Sequence, residues 1–233
     1  MEKDRTESAD FSGKRVTARE NADGGYRSAV VLTGGECDTD KVLKRGLLPA
    51  DAFIVAADSG YLKAEPLGVT PCMLVGDFDS IPAEKMPADG LEIVRVPCEK
   101  DETDTMLACN IAAERGCREI LIVGGFGGRC DHELSNIFWL ENMLERGVRA
   151  VMTDGNGTIR VIRNETVRIA RHEGYFSVFA LDSCVVSLRG CKYPLEGASL
   201  TRNLPYAVSN EITADWAEIT IEGTALLCDI YPD

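Results

Sequence analysis

The sequence is short of positive charge: 25 Lys and Arg stand against 38 Asp and Glu, a formal net charge of -13. A surface for nucleic acid or for an anionic membrane needs the opposite balance, so neither is an expected partner. No apolar run approaches the ~20 residues that a membrane helix needs, and the charged N-terminus carries no signal-peptide core. Only two of the 233 residues are histidine. The nine cysteines, at positions 37, 72, 98, 109, 117, 130, 184, 191 and 228, include no Cys-x-x-Cys pair of the kind that holds zinc or does redox work. They are expected to be buried thiols of a reducing cytoplasm. A soluble, cytoplasmic chain with small-molecule partners is the expectation.

The chain does have a recurring pattern. Five short apolar runs each lead straight into a cluster of Gly, Asp, Lys or Arg: Ala29 to Gly35, Phe53 to Gly60, Met73 to Ser80, Ile93 to Asp104 and Ile120 to His132. If the runs are parallel strands, every cluster lies at a carboxyl end, where open α/β sheets bind ligands. With 45% hydrophobic residues the chain can fill a real core without staples.

Three parts are expected. Residues 1–27 are polar and nearly free of large aliphatics, which predicts a mobile N-terminal extension. Residues 28–154 alternate β-rich runs with helical patterns and predict a Rossmann-like α/β domain with a parallel sheet. One helix follows Asp101-Glu102-Thr103-Asp104 and stops near Gly116; another follows Asp131, with Leu134, Ile137, Leu140 and Leu144 on one face. Residues 155–233 read as short alternating strands separated by turns, which predicts an antiparallel β-sandwich.

The chemistry lies in the clusters. Asp77 and Asp79, two apart in Gly76-Asp77-Phe78-Asp79-Ser80, project to one side of an extended loop. Two hard carboxylates there suit Mg²⁺, which completes its octahedron with water and substrate phosphate. A solvated Asp-rich turn is the bland alternative. Lys100-Asp101-Glu102-Thr103-Asp104 opens a helix, where acidic and hydroxyl groups make good caps and where phosphate is also favoured. Gly124-Gly125-Phe126-Gly127-Gly128-Arg129 exposes backbone N–H groups that can approach phosphate oxygens, or it simply permits a sharp turn. That run is not a Walker loop, and Cys130 stands where a dinucleotide fingerprint needs its last glycine. A conventional P-loop ATPase or NAD enzyme is therefore disfavoured.

These landmarks, in this order, resemble the thiamin pyrophosphokinase family: Ala56 to Gly60, Gly76 to Ser80, Lys100 to Asp104, Gly124 to His132, Gly190 to Leu195 and Ser209-Asn210-Glu211. The likeness covers nearly everything after residue 28. It implies Mg²⁺-dependent transfer of a diphosphate from ATP, the co-substrate, to the hydroxyl of thiamin, releasing AMP, in a homodimer whose sites lie at the subunit interface. Carried over by motif, Asp77, Asp79 and Asp104 become the metal and catalytic carboxylates, supported by Asp58. Nucleotide contacts fall to Gly34, Gly35, Asp58 and Lys100, and further to Thr103, Gly127 and Arg129. Asp131, Ser209 and Asn210 face thiamin. The ring-stacking aromatic is not identifiable from sequence; Trp216 is the nearest candidate, and Trp in a strand is more often core. Rival readings are a pyrophosphokinase for another alcohol such as a hydroxymethylpterin, a metal-dependent phosphoester hydrolase, and a non-catalytic nucleotide-sensing module.

Overall fold

In the computed structural model the described residues are 26–87, 91–96 and 101–232. The predicted N-terminal extension up to residue 25 and Lys100 of the predicted site lie outside them. Six strands run parallel: β1 (Ser28–Leu32), β2 (Phe53–Ala57), β3 (Met73–Gly76), β4 (Glu92–Arg95), β5 (Glu119–Val123) and β6 (Arg149–Thr153). Their order is β4-β3-β2-β1-β5-β6. The chain builds outward from β1 to β4, then crosses back to set β5 against the other side of β1. The order thus reverses between β1 and β5, and a reversal of this kind opens a crevice at the carboxyl ends, because the loops leaving the two neighbours diverge.

Both faces of this sheet are covered, which explains why its strands read as continuous apolar runs. Ala29, Val31, Phe53, Val55, Ile120 and Ile122 point to one face, where they meet Ala108, Cys109 and Ala112 of α2 (Asp104–Glu114) and Leu140 and Met143 of α3 (Cys130–Glu145). Val30, Leu32, Leu74, Leu121 and Val123 point to the other, against Val42 of α1 (Thr39–Lys44) and Leu47, Ala64 and Leu67. Truncating a fully buried member such as Leu121 to Ala would cost about 2–5 kcal/mol. The outer strand β4 carries Glu92, Ile93 and Arg95 in exposed positions, and charge on an edge discourages pairing with another chain.

The antiparallel strands continue this sheet. β7 (Gly157–Arg163) pairs with β6 through Val151 and Arg160, Met152 and Ile159, and Thr153 and Thr158. β11 (Trp216–Ile230) joins β7 along one half and β8 (Thr166–Ala170) along the other, while β9 (Tyr175–Arg189) runs beside its whole length and carries β10 (Leu195–Thr201) on its far side. β9 and β11 are 15 residues each, longer than the alternation suggests. A register shift between Gly223 and Ala225 lets one strand serve both halves. Ile219 and Ile221 before the shift and Ala225 and Leu227 after it belong to one core with Phe176, Val178, Val186 and Leu188, so the two halves enclose a common interior as in a sandwich. On the reverse face Leu226, Cys228 and Phe179 pack into the α2 and α3 core.

Three expectations need correcting. Leu134 is 54% exposed; the inner face of α3 is formed instead by Asn136, Leu140 and Met143. Cys72 and Cys130 are exposed, not buried, although all eight described cysteines are free. Trp216 is 49% exposed at the start of β11, with the Arg168 guanidinium 5.3 Å from its ring, and is not a core residue. Among the described residues no helix is long and apolar enough to cross a membrane.

Candidate active site

The crevice at the β1/β5 reversal has a volume of about 760 Å³ and is walled by Thr33, Gly34 and Gly35 after β1 and by Gly124 to Arg129 after β5. Glycine is required where these walls touch. A Cβ on Gly35 would lie 2.2 Å from the Gly124 carbonyl oxygen, and one on Gly34 would lie 2.6 Å from Ser59 Oγ. The loops are tied together as well: the Glu36 N–H donates to the Gly127 carbonyl at 2.6 Å, and the Thr33 hydroxyl reaches the Val123 carbonyl at 3.2 Å. Lys63, at the end of the 3-10 segment Asp58–Lys63, donates from below to the Thr33 carbonyl at 2.6 Å. Sequence reasoning missed Lys63, because a single Lys in a short helical turn carries no pattern that distinguishes it from a solvated one.

Asp58, Ser80, Thr103 and Asp104 line the same crevice. Asp58, immediately after β2, sits at φ 49, and the Ser80 hydroxyl donates to its Oδ2. Among the described residues its Oδ1 is buried without a hydrogen-bond partner, an arrangement that costs about 1–3 kcal/mol in isolation. Carboxylate oxygens of Asp58, Asp77 and Asp79 lie within 4.8 Å of one another. Gly76 permits this approach, since a Cβ there would meet Asp58 Cβ at 3.2 Å. The loop between the two aspartates is a turn, not an extended run: the Asp79 N–H donates to Asp77 Oδ1 at 3.2 Å, and Phe78 adopts φ 67 with its ring buried in the core. The buried ring anchors the loop while its flanking carboxylates stay at the surface.

Electrostatics follow from this crowding. Asp77, some loss of hydration, Asp58 and Asp104 together push the exposed Asp79 carboxyl above the ordinary carboxylate range. Asp104 thus belongs to the same negative field, although it stands outside the tight trio. It opens α2, whose cap is Thr103: the Thr103 hydroxyl accepts the Met106 N–H at 3.2 Å. The orphaned Asp58 oxygen and the mutual repulsion of three carboxylates are the features a hard divalent cation would relieve, and the all-oxygen donor set suits Mg²⁺.

The glycine loop leads into α3 with its amides already engaged. Gly127 and Gly128 both donate to Glu133 Oε1 at 2.9 Å, so a carboxylate occupies the position where phosphate was expected. Arg129 and Asp131 pair with each other, Nε to Oδ1 at 3.1 Å and Nη2 to Oδ2 at 2.6 Å, and Arg129 holds the Asp131 carboxyl down at about 2. The two therefore act as one exposed unit at the crevice mouth.

Ser209 and Asn210 are elsewhere. Asn210 bridges to Phe176 at the outer edge of β9, and its side chain is consumed by the turn at Tyr193. Ser209 is exposed at φ 55, with its N–H on Ser177 Oγ at 3.0 Å. From the carboxylates after β3 to Asn210 there are eight interstrand steps, roughly 38 Å along the sheet at about 4.8 Å each.

A sequence model of the thiamin pyrophosphokinase catalytic domain matches residues 45–152, and a model of the thiamin pyrophosphokinase vitamin B1 binding domain matches residues 158–228. The thiamine pyrophosphokinase of Bacillus subtilis (strain 168) is 30% identical over 167 residues, 68% of this chain and 77% of that protein. This chain belongs to the thiamin pyrophosphokinase family. Membership makes it an enzyme, a thiamin diphosphokinase. Thiamin pyrophosphokinase 1 of Caenorhabditis elegans is 23% identical over 176 residues, 69% of this chain and 72% of that protein. The fold agrees. The crystal structure of Bacillus subtilis thiamine pyrophosphokinase superposes with TM-score 0.78 at 23% identity, covering 88% of this chain and 100% of that one. That of Geobacillus thermodenitrificans thiamin pyrophosphokinase gives 0.76 at 25%, covering 88% and 98%.

Proposed function

We propose that this chain transfers the terminal diphosphate of ATP to the hydroxyl of thiamin, releasing AMP, with Mg²⁺ held by Asp58, Asp77 and Asp79 and with Asp104 beside them. The observation that carries this reading is the trio of Asp58, Asp77 and Asp79 carboxylates, with one Asp58 oxygen lacking a hydrogen-bond partner among the described residues, beside a glycine-walled crevice that Asp58 lines. Bound Mg²⁺ would neutralise phosphate charge at the trio. The chain's own residues do the remaining work by position. Gly34 and Gly35 let the nucleotide lie close to backbone, Gly127 does so by its missing Cβ while its N–H holds Glu133, Thr103 caps α2 beside them, and Lys100, outside the described residues, is assigned to the triphosphate. The Arg129 and Asp131 unit bridges the crevice mouth, its guanidinium toward phosphate and its carboxylate toward the acceptor.

Residues 28–154 act as the catalytic, nucleotide-binding unit, and residues 155–233 as the unit that binds thiamin and forms a homodimer. The eight-strand separation between the carboxylates and Asn210 supports a site completed by a second subunit, with Ser209 and Asn210 of one chain meeting the carboxylates of the other. Tyr193, 60% exposed and fixed by Asn210, supplies the aromatic face for the thiamin ring, in place of Trp216. Eight free cysteines suit a cytoplasmic location.

Incubating the purified chain with ATP, Mg²⁺ and thiamin tests the reading. AMP and thiamin diphosphate should form in equal amounts. ADP with thiamin monophosphate would mean single phosphoryl transfer, and turnover only with a pterin alcohol would reassign the acceptor.

A further inference from the structure

Lys63 is a half-buried cation that the reaction as described above does not use. Its ammonium donates to the Thr33 carbonyl at 2.6 Å, and its Cε lies 3.0 Å from where a Cβ on Gly124 would stand, so its stem fills the space that this glycine leaves open. It touches both walls of the crevice, one through Thr33 and the other through Gly124. Among the described residues no carboxylate lies within ion-pair distance of it. Burial pushes its pKa down, and the group that pushes it back up is the Cys37 thiol, itself raised to about 11 chiefly by burial and also by Asp154 and Asp38. The titratable group facing it is thus Cys37 from the loop after β1, and Asp38 and Asp154 stand behind that thiol rather than against the ammonium. A half-buried ammonium compensated among the described residues by a carbonyl and a neutral thiol is costly, and such groups are ordinarily paired. Among the described residues the Thr33 carbonyl is the one hydrogen-bond acceptor for its three N–H donors.

We infer that Lys63 supplies the positive charge beneath the crevice that binds the nucleotide's phosphates, its counter-charge arriving with the substrate. The inference rests on the placement of ATP in this crevice. Lys63 is a positioning residue in this role: it sets the potential and the spacing of the two glycine walls and takes no part in bond making.

Three variants separate charge from tie. Lys63→Arg keeps the charge, Lys63→Gln keeps a donor for Thr33 without charge, and Lys63→Met keeps only the apolar stem. The KM for ATP should rise at least tenfold in Lys63→Gln and Lys63→Met and less than threefold in Lys63→Arg, while the KM for thiamin changes less than twofold. In the wild type ATP affinity should fall as pH rises through the depressed lysine pKa, since binding favours the protonated ammonium; Lys63→Gln, with no proton to lose, should show no such limb. Wild-type affinity with an intact alkaline limb in Lys63→Gln would reduce Lys63 to a structural tie and overturn the inference. If Lys63→Met fails to fold, the comparison of Lys63→Gln with Lys63→Arg decides the same question. A wild-type chain that makes no thiamin diphosphate from ATP would instead overturn the reading of the crevice itself.

Discussion

The side chain of Asn210 closes on the backbone of Tyr193 from both directions: Oδ1 accepts the Tyr193 N–H at 3.0 Å and Nδ2 donates to the Tyr193 carbonyl at 2.8 Å. With 3% of its surface exposed, Asn210 has no water to replace either bond. Asn210→Ala would leave the part-buried Tyr193 N–H and carbonyl without their partner, a loss of about 1–3 kcal/mol for the pair. The melting temperature should fall by several degrees, at about 2–4 °C per kcal/mol for a chain of this size. The KM for thiamin should rise while that for ATP holds. An unchanged melting curve in a thermal scan would show that the turn at Tyr193 stands without this clamp.

A second expectation concerns the carboxylates. The pKa of the exposed Asp79 is raised first by Asp77, then by some loss of hydration, Asp58 and Asp104. A carboxyl with a raised folded pKa binds its proton more readily folded than unfolded. Between the two pKa values, acidification therefore favours the metal-free fold and rising pH costs it stability. Metal binding has the opposite dependence, because ligation needs the deprotonated group. Asp77→Asn should leave the metal-free melting temperature at neutral pH unchanged or higher, depress turnover by orders of magnitude, and shift the acid limb of Mg²⁺ binding through Asp79 to lower pH. Calorimetric titration of Mg²⁺ against pH, beside thermal scans in chelator, checks all three. A variant that melts early would make Asp77 a structural turn residue.

Subunit exchange tests the shared site. Asp79→Asn disables the carboxylate edge, and Ser209→Arg blocks the exposed segment beside Asn210; each homodimer should be inactive. Random exchange makes about half the dimers mixed, each with one intact and one doubly damaged site, so roughly a quarter of wild-type activity should return. No recovery, with exchange confirmed by mass-tagged subunits, would place Ser209 in its own chain's site or outside any site.

Much of this was legible in the residues. The five apolar runs became five adjacent parallel strands because alternate side chains had two covered faces to fill, and Asp58, Asp77, Asp79 and Asp104 could be picked out because each directly follows a strand or opens a helix. Local pattern failed where a side chain had more than one partner within reach, even a few residues away. Nothing near Glu133 announces that it will take the Gly127 and Gly128 amides, since an acidic residue in a first helical turn already has a sufficient local role. Arg129 and Asp131 read from sequence as separate contacts for two substrates, and their pairing with each other is visible only in the fold.

The sequence by itself determined the class of the fold, the family and the chemical type of the site, because strand periodicity, loop glycines and clustered carboxylates are properties of short segments. Only the tertiary structure decided that the crevice falls at the β1/β5 reversal, that the tight trio within 4.8 Å is Asp58, Asp77 and Asp79 with Asp104 outside it, that Lys63 lies beneath both glycine walls, and that Asn210 stands eight interstrand steps from the carboxylates. Each of these depends on which strands become neighbours. Strand order is set by burying two faces of one sheet at once, a condition on the whole chain that no short segment records.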